Sequence, residues 1–220
     1  MITLVIATGN AHKIQEIQDI LGPGFHCRGL KEFPDAPSPV EDGDTFAANA
    51  TIKARAIAAW LATHHADRFA AQTAYVLADD SGLEVDVLDG APGVHSARFA
   101  ALDTGAAGNS PDADNNAKLL RLLQDVPDAQ RTGRFRCTLS LLPLPAADAD
   151  PFICDGTCEG RLQHSPTGAA GFGYDPLFIP AGHDRSFAEL GEDIKNALSH
   201  RARAVEKLKA HFAIGVSPRI

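Results

Sequence analysis

The sequence predicts an α/β fold built on a mixed β-sheet with flanking helices. Three observations carry this. The chain opens as strand, glycine turn and helix, with Ile2 to Ala7 ended by Thr8-Gly9-Asn10 and then Ile14, Ile17 and Leu21 at helical spacing. Apolar strand-like runs alternate with helical patterns along the chain. Two long runs, Arg134 to Leu142 and Phe152 to Leu162, flank a loop rich in Pro, Ala and Asp and read as a hairpin.

The elements follow in order. Gly22-Pro23-Gly24 stops the first helix, and Phe25 to Leu30 reads as a second strand. Phe33 to Val40 holds three prolines and reads as an extended surface loop. Asp44 or Thr45 caps an alanine-rich helix from Phe46 to Ala62. Tyr75 to Ala78 is a buried strand that enters an acidic turn, Asp79-Asp80-Ser81-Gly82. Leu83, Val85 and Val87 alternate with Glu84 and Asp86 as a half-exposed strand. Residues 103–114 are loop-like, and a helix covers Asn116 to Leu123. A last helix runs from Leu198 to Phe212, with Ser199 as its cap.

Composition narrows the function. The chain has 220 residues, is 45% hydrophobic and 22% charged, which suits a folded globular protein. At roughly 150 residues per domain, one large domain or two small lobes are both allowed, and residues 1–220 are read as one domain of two lobes. The net charge of −8 argues against a broad basic face for nucleic acid. Cys27, Cys137, Cys154 and Cys158 are too scattered for a disulfide framework. No apolar run is long enough to span a membrane, and the N-terminus reads as a strand, so a cytoplasmic protein is expected.

Five segments suit chemistry, each with a plainer alternative. Thr8, Gly9, Asn10, Ala11, His12 and Lys13 form a strand-to-helix turn that can present N–H groups and a lysine to an anion; many such turns contain Gly and Asn for shape alone. Asp79 and Asp80 read either as a cation site or as an acidic turn. In Glu41 to Ala54, Asn49 and Lys53 share a helix face, a ligand-facing or solvent-facing one. Gly171-Phe172-Gly173-Tyr174-Asp175-Pro176 suits the close approach of a flat ring, or is a tight turn with a buried Phe. Lys195, His200, Arg201 and Arg203 cluster around a helix start in an acidic chain, as ligand donors or as a solvated basic face.

In order, TGNAHK, TFAANATIKA, ADDSGLEVDVLDGAPGVHSAR, GFGYDPLF and KNALSHR resemble the inosine/xanthosine triphosphate pyrophosphatase family, from about Ile2 to Phe212. That resemblance implies an elongated two-lobed fold with the nucleotide in a central cleft, a homodimer and a magnesium cofactor. It implies hydrolysis of ITP, dITP and XTP to the monophosphate and pyrophosphate, which keeps these nucleotides out of DNA and RNA. It makes Asp80 the base and a metal ligand, and Glu41 a second metal ligand. Thr8 to Lys13, Lys53 and Ser81 are expected at the phosphates. Phe172, Gly173, Tyr174, Asp175, Lys195, His200 and Arg201 are expected at the base, where donors to a 6-keto group would be left unpaired against adenine. The rival reading is a purine nucleotide sensor without catalysis.

Overall fold

A β-branched run buried on both faces needs neighbours on both faces, and the first strand has them. The computed structural model describes residues 1–70, 72–145 and 147–215. Among these the strands are β1 (Ile2–Ile6), β2 (Phe25–Gly29), β3 (Ala74–Val85), β4 (Thr132–Pro143), β5 (Phe152–Leu162) and β6 (Phe178–Pro180). Their order is β2-β1-β3-β4-β5-β6. β1 runs parallel to β2 and β3, and β5 antiparallel to β6, so the sheet is mixed. The helices are α1 (Ala11–Leu21), α2 (Phe46–His64), α3 (Ala66–Phe69), α4 (Asp112–Leu122), α5 (Phe187–Leu190), α6 (Glu192–Leu198) and α7 (His200–Gly215).

The chain divides into two units. The first takes Met1–Asp80, Cys137–Gly156 and the chain from Arg201 on; the second takes Ser81–Arg136 and Thr157–His200. In the first unit the period of 2 sorts side chains onto two faces. Leu4, Ile6 and Leu77 pack with Ile17 and Leu21 of α1 and with Ala204, Val205 and Leu208 of α7. Val5, Val76 and Ala78 pack instead with Ala50, Ala54, Ile57 and Leu61 of α2. β1 and the start of β3 therefore read as continuous apolar runs.

In the second unit Leu83, Val85, Phe135 and Leu162 form a core with Leu119, Leu123, Phe178 and Phe187. Arg131 is buried there, its guanidinium donating to the carbonyls of Leu123, Leu162 and Gln163 at 2.6–2.9 Å. That satisfies helix-end and strand-end acceptors that would otherwise be costly to bury.

Several expectations change. The acidic turn is no turn: Asp79 to Gly82 continue β3 without a break to Val85. Val87 lies beyond the strand in a short 3₁₀ turn, Asp86–Leu88. α4 starts four residues before the expected Asn116. Ser199 is extended between α6 and α7, so the last helix begins at His200. Phe33, expected in a surface loop, is buried against the α2 core. Among the described residues no disulfide joins the four cysteines. Among the described residues no helix is long and apolar enough to cross a membrane.

Candidate active site

Two adjacent carboxylates on a strand point to opposite faces, and each face supplies its own cations. Asp79 shares the face of Leu77. There Arg201 of α7 donates through Nε to Asp79 Oδ2 at 2.9 Å, and Lys13 of α1 donates to Oδ1. Cys137 of β4 donates its thiol to the same Oδ2 at 3.3 Å. Arg201 also binds Glu16, one helical turn beyond Lys13. Burial alone would raise the Asp79 carboxyl; the Arg201 and Lys13 charges overcome it and hold the group well below the usual carboxylate range. Arg201 is raised: burial opposes its charge, and Asp79 and Glu16 outweigh burial.

Asp80 shares the face of Ala78 and meets α2. Lys53 Nζ donates to Asp80 Oδ1 at 3.0 Å and to Glu41 Oε2 at 2.8 Å. Burial raises Asp80, and the nearby Glu41 charge adds to the rise, while Lys53 and Lys13 pull the other way without cancelling it. Lys53 is itself raised, since Asp80 and Glu41 outweigh its burial. One strand thus carries a locked anion and, next to it, a carboxylate that holds a proton more readily. Neighbouring acids driven apart in this way mark acid–base sites.

The loop bearing Glu41 is pinned to α2. Gly43 donates its N–H to Asn49 Oδ1 at 2.9 Å, and a Cβ at Gly43 would come within 2.8 Å of that oxygen. Asp80 Oδ2 is buried with no hydrogen-bond partner among the described residues, and so is Asn49 Nδ2. A bare carboxylate oxygen beside a second carboxylate on one shared ammonium fits a hard divalent cation. Magnesium needs only one or two carboxylates when phosphate oxygens and waters complete its shell. Among the described residues no group of three or more His, Cys, Asp or Glu side chains could hold a metal, so the fit rests on this pair.

At the start of α1, Asn10 caps the helix. Its Oδ1 accepts the N–H groups of His12 at 2.9 Å and Lys13 at 3.3 Å, and its own N–H goes to Thr8 Oγ1 at 3.1 Å. This corrects one expectation: those two helix N–H groups are not free for an anion. Gly9 and Ala11 complete this turn, and Ser81 follows Asp80 on β3. What the turn offers a phosphate is the Thr8 hydroxyl, the Asn10 amide N–H₂ and the Lys13 ammonium.

The second unit carries the aromatic segment. Asp175 is buried and its Oδ2 accepts from Lys195 Nζ at 2.6 Å and from the Phe172 N–H at 2.8 Å. Lys195 Nζ also stands 4.3 Å from the centre of the half-buried Phe172 ring. Gly173 has φ of 63°, which favours glycine. The Tyr174 hydroxyl donates to Ser96 O at 2.9 Å, so Tyr174 serves the core. His200 is buried and stacks on Phe135 at 4.8 Å.

Three residues expected at the base therefore have other settings, Tyr174 among them. Asp175 organises the loop from inside. The Arg201 side chain, 1% exposed, has its guanidinium among the carboxylates of the first unit. Sequence reasoning missed Glu16, Cys137, Asp112 and Asn116. Glu16 alone left a signal, its i, i+3 spacing from Lys13 on one helix face.

A model of the Ham1 family matches residues 4–211. The chain belongs to the Ham1 family. Ham1 relatives include the dITP/XTP pyrophosphatase of Halalkalibacterium halodurans, 43% identical over 93% of this chain and 95% of that protein. The dITP/XTP pyrophosphatase of Pseudomonas aeruginosa is 44% identical over 96% of this chain and 97% of its own. Among solved structures, a HAM1 protein from Coxiella burnetii matches with a TM-score of 0.79 and 36% identity, over 97% of this chain and 100% of that one.

Proposed function

We infer that this Ham1 chain hydrolyses non-standard purine nucleoside triphosphates, of the dITP and XTP kind, to the monophosphate and pyrophosphate. The observation that carries the reading is the pair on β3: Asp79 locked as an anion under Lys13, and Asp80 beside Glu41 with one oxygen bare. The curated relatives named above support the substrate class.

The contacts support the following roles. Lys13, Thr8 and Asn10 bind triphosphate oxygens, joined by Lys53 and Ser81. Asp80 takes the proton of a water aimed at the α-phosphorus, so that pyrophosphate leaves. Glu41 and Asp80 would hold magnesium, which when bound neutralises phosphate oxygens and acidifies a water. Phe172 offers a face to the purine, and Lys195 with His200 supplies donors near it. Arg201 acts through Asp79. We also propose that the two units serve as one catalytic domain, that the chain is a cytoplasmic homodimer, and that its substrate is a free nucleotide and not a nucleic acid or a membrane.

The test is product analysis by ion-exchange chromatography, with inosine, adenosine and guanosine triphosphates and magnesium in parallel. Inosine monophosphate plus pyrophosphate, with little turnover of the other two, is expected. Diphosphate plus phosphate would place the water wrongly, and tight binding without product would favour the sensor.

Two further results are expected. Lys13→Ala removes one charge-assisted contact to phosphate and raises KM for inosine triphosphate about 10- to 100-fold, measured by initial rates. No change in KM would remove Lys13 from the phosphate site. Phe172→Ala removes the stacking face and raises KM about tenfold for inosine and adenosine triphosphates alike, because stacking tolerates any base. A change confined to one base would give Phe172 a different job.

A further inference from the structure

The segment that offers a ring to the purine is poorly braced by packing. A cavity of about 430 Å³ adjoins Gly171, Phe172 and Gly173, with Asp112, Asn116 and Leu120 on its α4 side. What holds the loop is polar. Gly173 donates its N–H to Asp112 Oδ2 at 2.7 Å, and Asn116 Nδ2 donates to Gly173 O at 3.0 Å. Asp112 and Asn116 are one helical turn apart on α4, so one helix face grips both backbone groups of a single residue. On the other side of Phe172, its N–H is held by Asp175.

Phe172 is thus fixed through its backbone at both ends while its ring stays half-buried. Asn116 bears a cost for its part: Oδ1 is buried with no hydrogen-bond partner among the described residues. A buried acceptor left bare is uncommon and calls for a reason. The amide N–H₂ of Asn116 faces Gly173 O, and this fixes where Oδ1 points.

We propose that Asp112 and Asn116 are positioning residues for the purine: they clamp Gly173 so that the Phe172 ring stands ready as a stacking platform. The proposal rests on the functional reading above, in which Phe172 meets the base. The clamp acts through position only. It adds no contact to phosphate and moves no proton.

The test uses the full chain and the variants Asp112→Ala, Asn116→Ala and Phe172→Ala, singly and combined. The clamp double variant should raise KM for inosine triphosphate about five- to tenfold and leave kcat within about twofold. Inhibition by added pyrophosphate should not move, because it binds through phosphate contacts alone. The clamp variants should add nothing in the Phe172→Ala background, since groups that act through one another are non-additive. Asp112→Asn, which still accepts the Gly173 N–H through Oδ1, should restore most of the affinity.

Additive effects with Phe172→Ala, a loss of kcat at constant KM, or no rescue by Asp112→Asn would overturn the clamp. If Asn116→Ala does not fold, the exposed Asp112 carries the test alone through its Ala and Asn variants. A wild-type chain that makes no inosine monophosphate would instead overturn the functional reading, a separate failure visible before any variant is made.

Discussion

Asp80→Asn should lower turnover of inosine triphosphate by about 10²- to 10⁴-fold, the usual worth of a positioned general base. The amide is the same size as the carboxylate, so the strand and its neighbours need not shift. Lys53 can still donate to the amide oxygen in place of the carboxylate, and it keeps Glu41 at 2.8 Å. The variant also removes a carboxylate charge from a position where one oxygen is buried without a partner among the described residues. Its thermal midpoint should therefore equal or exceed that of the wild type, as often happens when an active-site strain is relieved. Loss of activity with a raised or unchanged midpoint separates chemistry from folding. Full activity would show that another group takes the proton, and an unfolded variant would make Asp80 a structural acid.

The pair on β3 also shows which parts of this protein its sequence reveals. β1, α1, β2 and α2 were legible because period and punctuation agree within short windows: apolar runs, Gly22-Pro23-Gly24, and the Thr45 cap. The stretch from Asp79 to Gly82 has turn composition and reads as a turn. It is a strand because its charges are met from far along the chain, Lys13 at a separation of 66 residues and Arg201 at 122. Local propensity cannot weigh a partner that distant. α5 and β6 are four and three residues long, too short for any period to register. The site was legible as a set of segments, because each carries unusual chemistry in a small space. Who holds whom was not. The resemblance puts Arg201 at the base with its neighbours in sequence, whereas in the fold Glu16, 185 residues away, is one of its partners.

Arg201→Ala should destabilise the chain by about 3–5 kcal/mol at neutral pH, the cost of leaving buried carboxylates without their cation. Asp79, with no exposed side-chain area, would keep only Lys13 and the Cys137 thiol from the contacts described above. Glu16 would lose its guanidinium partner. The effect should depend on pH in one direction. Asp79 is depressed in the folded wild type, so its contribution is complete above the unfolded value of about 4 and is lost as pH falls through the lower folded value. Without Arg201, Lys13 is left as the charge that opposes burial at Asp79. The gap between wild type and variant should therefore be widest near pH 7 and should narrow below about pH 4, as the wild type loses this contribution. Arg201→Lys should recover only part of the loss, because one ammonium cannot present two faces to Asp79 and Glu16 as the planar guanidinium does. Urea unfolding of the three proteins at pH 7 and in acid measures all of this. A gap below about 1 kcal/mol, in the range of an exposed ion pair, or a gap that does not change with pH, would mean that Arg201 does not hold the locked anion on which Lys13 depends.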